Sequence, residues 1–274
     1  MPTFTAPDGT QLIYYPCEPP SPRAAILFLH GWSDHAQRWS GVGERFQSAG
    51  YAVYLLDQRG HGESGGRRGY LSRFSQLLGD LQAFRRAIRR RRPELPQVVL
   101  GHSFGGLVAL RYLETQPSDA LVAAVVVSPW LALAAPLPAW KRLVSRVFAD
   151  LWSTFPVPLG IDPAMLSRDP AVNAAWEGDR AVHRLMTPGA WREIQWAQRA
   201  VTADGGRIET ALLLLLGGED RIVDSHAARA FADALTAPVE VRWYPEMYHE
   251  LLHDPQAERV VADVLTFLAG RGLA

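Results

Sequence analysis

Residues 98–113 constrain the fold more than any other stretch of the chain. Val98-Val99-Leu100 is a short apolar run, Gly101-His102-Ser103-Phe104-Gly105-Gly106 follows it, and Leu107 to Leu113 has the composition of a helix. A buried strand must therefore turn into a helix within a few residues. So sharp a turn presses backbone against backbone, which only glycine tolerates at its flanks, so Gly101 and Gly105 are the points of closest approach. Ser103 at the apex is left with a strained backbone. Its hydroxyl is pushed out at the strand end, beside the N-terminus of the helix.

The rest of the chain supplies a sheet to hold that turn. Asp8-Gly9 is a hairpin signal between strands at residues 3–6 and 10–15. Apolar strands are expected at 24–29, 51–56, 123–127, 211–216 and 239–244, with helices near 37–49, 74–92, 224–235 and 256–270. With the strand before Ser103 this makes eight strands. Their alternation with helices argues for an α/β fold whose sheet is mostly parallel and covered on both faces. Arg85, Arg86 and Arg89 to Arg92 form a basic run on the second helix. Leu77, Leu81, Phe84 and Ile88 recur at helical spacing between them, so the arginines read as a solvated face rather than a nucleic-acid patch.

Residues 131–206 break the rhythm. They hold seven prolines and no convincing strand, and with Trp130 at their start they carry six of the nine tryptophans. This stretch is expected to be a helical lid inserted into a core made of residues 1–130 and 207–274. A lid over the strand ends would line an apolar channel. Trp130, Trp140, Trp152, Phe155 and Ile222 are the expected lining residues, and the lid is the expected point of any transient contact with a membrane surface.

Composition narrows the function. Lys plus Arg and Asp plus Glu each number 28, so no overall charge favours nucleic acid or an anionic membrane. Cys17 is the only cysteine and cannot form an internal disulfide. The first residues show neither a basic n-region nor an apolar h-region, and no apolar run is long enough to span a bilayer. A cytoplasmic protein is expected.

A serine hydroxyl becomes a useful nucleophile only with a base beside it and an acid to orient the base. In a strand-turn-helix setting the expected chain order is serine, acid, histidine. The acid belongs just past the strand that follows the lid, where Gly217-Gly218-Glu219-Asp220-Arg221-Ile222-Val223-Asp224 lies. Asp220 is the first candidate; Asp224 reads as a helix cap, and Glu219 stays as a third choice. The base belongs past the last strand. His249 is the first candidate there and His253 the second, because Asp254-Pro255 resembles the start of a helix. Two backbone amides should converge on the developing oxyanion. Phe104, after the serine, supplies one; Trp32, in the loop His30-Gly31-Trp32, supplies the other. His30, His102 and His61 are expected to brace loops, and His183 and His226 carry no legible role.

The same residues carry a rival. His249-Glu250-Leu251-Leu252-His253 matches the zinc pattern H-E-x-x-H. That pattern needs both histidines on one helical face, whereas the Asp-Pro pair places this stretch outside the helix, so no metal is expected. A further rival is small-peptide hydrolysis, for which the lid carboxylates Glu177, Asp179 and Glu193 could hold an amino group.

Taken together, the motifs resemble those of the monoacylglycerol lipase and lysophospholipase branch of the α/β-hydrolase superfamily, over nearly the whole chain. His30-Gly31-Trp32-Ser33-Asp34-His35-Ala36-Gln37-Arg38-Trp39 is similar to its H-G-x-x-x-H-x-x-R-aromatic segment. Residues 57–66 are similar to its D-x-x-G-H-G-x-S-x-G segment, with Gln58 where many members carry histidine. Residues 101–106 match G-H-S-x-G-G, with Phe104 where many carry methionine, and Asp220-Arg221-Ile222-Val223 and Tyr248-His249-Glu250 resemble the acid and histidine segments. The resemblance implies the α/β-hydrolase fold and Ser103, Asp220 and His249 as catalytic residues. It implies the amides of Trp32 and Phe104 as oxyanion donors, an ester of a long acyl chain as substrate, and no cofactor.

Overall fold

The computed structural model describes residues 1–116, 121–135 and 152–273. Eight strands form one sheet: β1 (Thr3–Thr5), β2 (Gln11–Cys17), β3 (Ala25–Leu29), β4 (Ala52–Leu56), β5 (Gln97–His102), β6 (Leu121–Val127), β9 (Leu212–Gly217) and β10 (Val239–Tyr244). Their spatial order is β1-β2-β4-β3-β5-β6-β9-β10. The hairpin at Asp8-Gly9 makes β1 and β2 antiparallel, β2 is antiparallel to β4, and every other pairing is parallel.

The buried strands explain both faces. Along β3 every residue is buried. Leu27 and Leu29 point into one core and Ile26 and Phe28 into the other. Such a strand is apolar throughout because helices cover it on both sides. One layer holds α1 (Ser40–Ser48) and the last helix, α7 (Ala257–Ala269). The other holds α2 (Phe74–Arg91), α3 (Phe104–Thr115), α5 (Pro188–Asp204) and α6 (Ser225–Asp233). In α2 the expected stripe of Leu77, Leu81, Phe84 and Ile88 is buried, while Arg86, Arg89 and Arg90 are exposed; Arg85, expected on the solvated face, is instead buried and donates to Gln97 Oε1 (3.2 Å) and the Tyr112 hydroxyl (2.9 Å).

Between β6 and β9 the described chain runs across the ends of the strands. It carries α4 (Pro170–Gly178), α5 and a two-stranded antiparallel pair, β7 (Val157–Pro158) with β8 (Leu185–Met186). That pair corrects the expectation of a strandless segment; two-residue strands leave no periodicity to read. At the C-terminal end, the last helix begins at Ala257, not beside Asp254. Leu251–His253 forms a 3-10 turn first, and the Asp254 carboxylate accepts from the Gln256 amide at 2.9 Å. Among the described residues no helix is long and apolar enough to cross a membrane.

Candidate active site

The turn after β5 has the backbone its sequence demands. Ser103 has φ +52° and ψ −112°, in the left-handed half of the map that non-glycine residues rarely occupy. A Cβ on Gly101 would run into the Gly105 carbonyl, and one on Gly105 into the Leu29 carbonyl. The helix can therefore start immediately after Ser103 and still pack on β3. Ser33 (φ +57°) and Ser128 (φ +44°) are strained in the same sense, after β3 and β6. Three neighbouring strands thus end in forced turns around one point, a pattern expected where function over-determines the backbone.

Asp220 is built into its own loop. Its Oδ1 accepts the amides of Ile222 (2.8 Å) and Val223 (3.0 Å), and its Oδ2 lies 2.8 Å from His249 Nδ1. The Asp220 side chain is fully buried. The loop is stitched to the segment leaving the sheet: Ala134 N–H donates to the Ile222 carbonyl and Asp224 N–H to the Ala132 carbonyl. Gly217 and Gly218 bring it against the histidine loop, since a Cβ on either would strike the carbonyls of Tyr248 or Pro245. Asp224 caps α6, its Oδ1 accepting from Ala227 N–H at 3.0 Å.

His249 is held from several sides. Ser128 Oγ donates to its carbonyl at 2.9 Å, and the His102 ring lies 4.8 Å away. Burial works to lower the pKa of His249, but the Asp220 carboxylate, with Glu250 and Asp34 behind it, outweighs burial and raises it. His102, buried without such a partner, is pushed down to about 3 and stays neutral.

The strand-end loop of β3 lies against this group. A Cβ on Gly31 would be 3.4 Å from Ser103 Cβ, and the Gly105 amide donates to the His30 carbonyl at 3.1 Å. Gln58 fixes the loop twice, its amide donating to His30 Nε2 (3.1 Å) and its side chain to the His30 carbonyl (2.6 Å). The Trp32 indole donates to the Leu185 carbonyl of β8 at 3.0 Å and meets the Phe104 ring edge-on at 4.9 Å. Phe104 opens α3, where an amide has no intrahelical acceptor. His61 braces its loop through the Arg59 carbonyl at 3.0 Å. His183, illegible in the sequence, packs its ring 4.4 Å from that of His61.

These residues open onto a cavity of about 700 Å³. Gly31, Trp32, Ser103, Trp130, Ile222 and His249 line it, as do Trp176, Met186, Pro188 and Trp191 from the segment above. Trp130 and Ile222 are therefore where the sequence puts them. Trp152 and Phe155 are not: they lie outside the lining and are 54% and 62% exposed. Trp140 lies outside the described residues. Trp176 and Trp191 went unnamed as lining residues, because equal tryptophan content does not tell inward from outward faces.

Neither rival chemistry finds its groups arranged for it. His249 and His253 turn their Nδ1 atoms to different carboxylates, Asp220 and Glu250, and stand in a loop and a 3-10 turn. Of the three carboxylates considered for an amino group, Asp179 pairs with His35 at 2.8 Å, Glu193 accepts the Phe74 amide at 2.8 Å, and Glu177 is exposed. None lines the cavity. The carboxylates that do, Asp34 and Glu250, are both engaged by Arg38. The sequence motifs include both, but only the i,i+4 spacing of Asp34 and Arg38 hints at this pairing.

The family model described as serine aminopeptidase, S33, matches residues 20–256. The monoacylglycerol lipase of Mycolicibacterium smegmatis is 30% identical over 269 residues, covering 97% of this chain and 95% of that protein. Phospholipase YtpA of Bacillus subtilis is 26% identical, covering 87% of this chain and 92% of its own. The crystal structure of the Paleococcus ferrophilus monoacylglycerol lipase superposes with a TM-score of 0.85 at 26% identity, over 95% of this chain and 99% of that one.

Proposed function

The chain belongs to the serine aminopeptidase S33 family and is a carboxylic ester hydrolase with the α/β-hydrolase fold, and we propose that it cleaves monoacylglycerols or lysophospholipid-like esters through an acyl-enzyme on Ser103. The observation that carries this reading is one of place. A strained serine and a histidine paired with a buried carboxylate at 2.8 Å face the same apolar cavity of about 700 Å³. Such a space takes an acyl chain, and its apolar walls exclude the water that would compete for the carbonyl.

In this mechanism Ser103 Oγ attacks the acyl carbonyl while its proton passes to His249 Nε2. Asp220 accepts the hydrogen bond from Nδ1–H and keeps the imidazole in the tautomer whose Nε2 is free to act as base. The oxyanion is received by the amides of Trp32 and Phe104. His249 returns the proton to the leaving alcohol, then takes one from the attacking water and delivers it to Ser103 Oγ as the acyl–oxygen bond breaks and the fatty acid leaves.

In the same proposal residues 131–206 act as a cap inserted in the core of 1–130 and 207–274. The exposed Trp152 and Phe155 then form a point of transient contact with a lipid surface, and the enzyme works in the cytoplasm. The test is a panel of glyceryl and p-nitrophenyl esters of increasing chain length, with Ser103→Ala as control. Hydrolysis that rises with chain length and vanishes in Ser103→Ala is expected, as is labelling of Ser103 by a fluorophosphonate. Preference for a proline naphthylamide over every ester would overturn the substrate assignment.

A further inference from the structure

Glu250 follows His249 directly, and the mechanism above gives it no task. Its side chain is 2% exposed, yet it carries a full set of charged partners. Arg38 grips it with both terminal nitrogens, Nη1 at 3.1 Å and Nη2 at 3.0 Å, and His253 Nδ1 lies 2.7 Å from its Oε2. Arg38 Nη1 also donates to Asp34 Oδ1 at 2.8 Å, and Asp34 Oδ2 accepts from the Trp39 indole at 2.8 Å. The backbone of the loop is held as well. The Glu250 amide donates to the Leu166 carbonyl at 2.7 Å, and Ser167 Oγ to the His253 carbonyl at 3.0 Å. Arg168 grips Asp254 at 2.6 and 2.8 Å.

Two buried carboxylates on one guanidinium are a costly way to join loops, since apolar side chains of similar volume do it without the desolvation penalty. The surplus is negative charge, and it stands beside the one group in the site that becomes positive during the reaction. Burial works to raise the pKa of Glu250, but Arg38 and His253 outweigh it and hold it well below the usual range, so the carboxylate is ionised. Among the described residues, the charges acting on His249 are Asp220 from the loop after β9, Asp34 from the loop after β3, and Glu250; the last two line the same cavity as His249 and neutral His102, and Arg38 is the cation held between them. Three are negative and one is positive.

We propose that Glu250, clamped by Arg38, is a positioning residue for His249: it fixes the 249–254 loop and adds a second negative charge, beside that of Asp220, to stabilise the imidazolium formed as Ser103 attacks. No proton moves to Glu250. The proposal rests on His249 being the base.

The test compares Glu250→Gln and Arg38→Gln by pH profile. Glu250→Gln should lower kcat about tenfold with KM little changed, the effect of about one pKa unit of lost imidazolium stabilisation. It should also move the acid limb of kcat/KM to lower pH. Arg38→Gln should move the limb the opposite way, because it removes the cation that offsets Asp34 and Glu250. A purely structural role would lower thermal stability in both and move neither limb. Unmoved limbs, or limbs moving in the same direction, would overturn the proposal. If Glu250→Gln fails to fold, Asp34→Asn is read by the same criterion, since Asp34 is the other carboxylate on Arg38. A His249→Ala variant that kept full activity would instead overturn the underlying assignment.

Discussion

Replacing Asp220 by asparagine should cost about 10⁴-fold in kcat while leaving the fold in place, and the reason lies in which oxygen is already spoken for. Oδ1 accepts two amides, from Ile222 at 2.8 Å and Val223 at 3.0 Å, whereas Oδ2 faces His249 Nδ1 at 2.8 Å. An asparagine there must keep its carbonyl oxygen on the two amides, since its NH₂ cannot accept from them. The NH₂ is then forced toward His249, where it can only donate. Nδ1 becomes an acceptor, the ring proton moves to Nε2, and the nitrogen proposed to take the Ser103 proton no longer can. The tautomer is wrong although every atom is in its place, and a penalty of about 10⁴, or about 5.5 kcal/mol of barrier, follows for such a triad. The assay is kcat on a short p-nitrophenyl ester, with a thermal melt and circular dichroism to show that the fold survives. Activity within about tenfold of the parent, on a folded protein, would refute the tautomer argument.

Three other outcomes are expected. The acid limb of kcat/KM should lie above 6.5, the ordinary imidazole value, because the base must be neutral and carboxylate attraction outweighs burial at His249; a limb below it contradicts the charge arrangement. Gly105→Ala should destabilise the protein by about 2–4 kcal/mol, visible as a lower Tm, because its Cβ meets the Leu29 carbonyl, which the sheet holds fixed. Burial, with Arg68 and His30 nearby, pulls His183 from 6.5 to about 4. The unfolded chain thus binds this proton more readily than the folded one, and stability present above 6.5 is lost as pH falls toward 4. The loss attributable to this ring is about 3 kcal/mol by the acid end, and melts of His183→Asn should show a correspondingly flatter acid slope.

Local rules were enough for the strand-turn-helix at Ser103. Collision at Gly101 and Gly105 depends only on neighbours in sequence and on the packing of one strand. The eight strands were legible for a similar reason, since a strand buried on both faces is apolar throughout, as in β3. Asp224 could be set aside as a cap because its acceptor role is played within three residues. What escaped depends on contacts between distant segments. Arg38 and Glu250 are 212 residues apart, so their pairing leaves no mark on either local pattern. His183 acquires its surroundings from the loop around His61. Residue type alone sends Trp152 and Phe155 to the channel, but an aromatic ring serves an outward face as readily as an inward one.

The pairing of residues 132–134 with 222–224 bears on how this scaffold can be re-engineered. The strip that exits toward the roof is knitted to the very turn that presents the carboxylate. A chimaera spliced at residue 131 would therefore discard the stitches that shape the Asp220 loop, and a silent enzyme could be misread as a poor roof. Placing the junction after Ala135 keeps them, so roofs can be exchanged as interchangeable parts on an unaltered chemical floor.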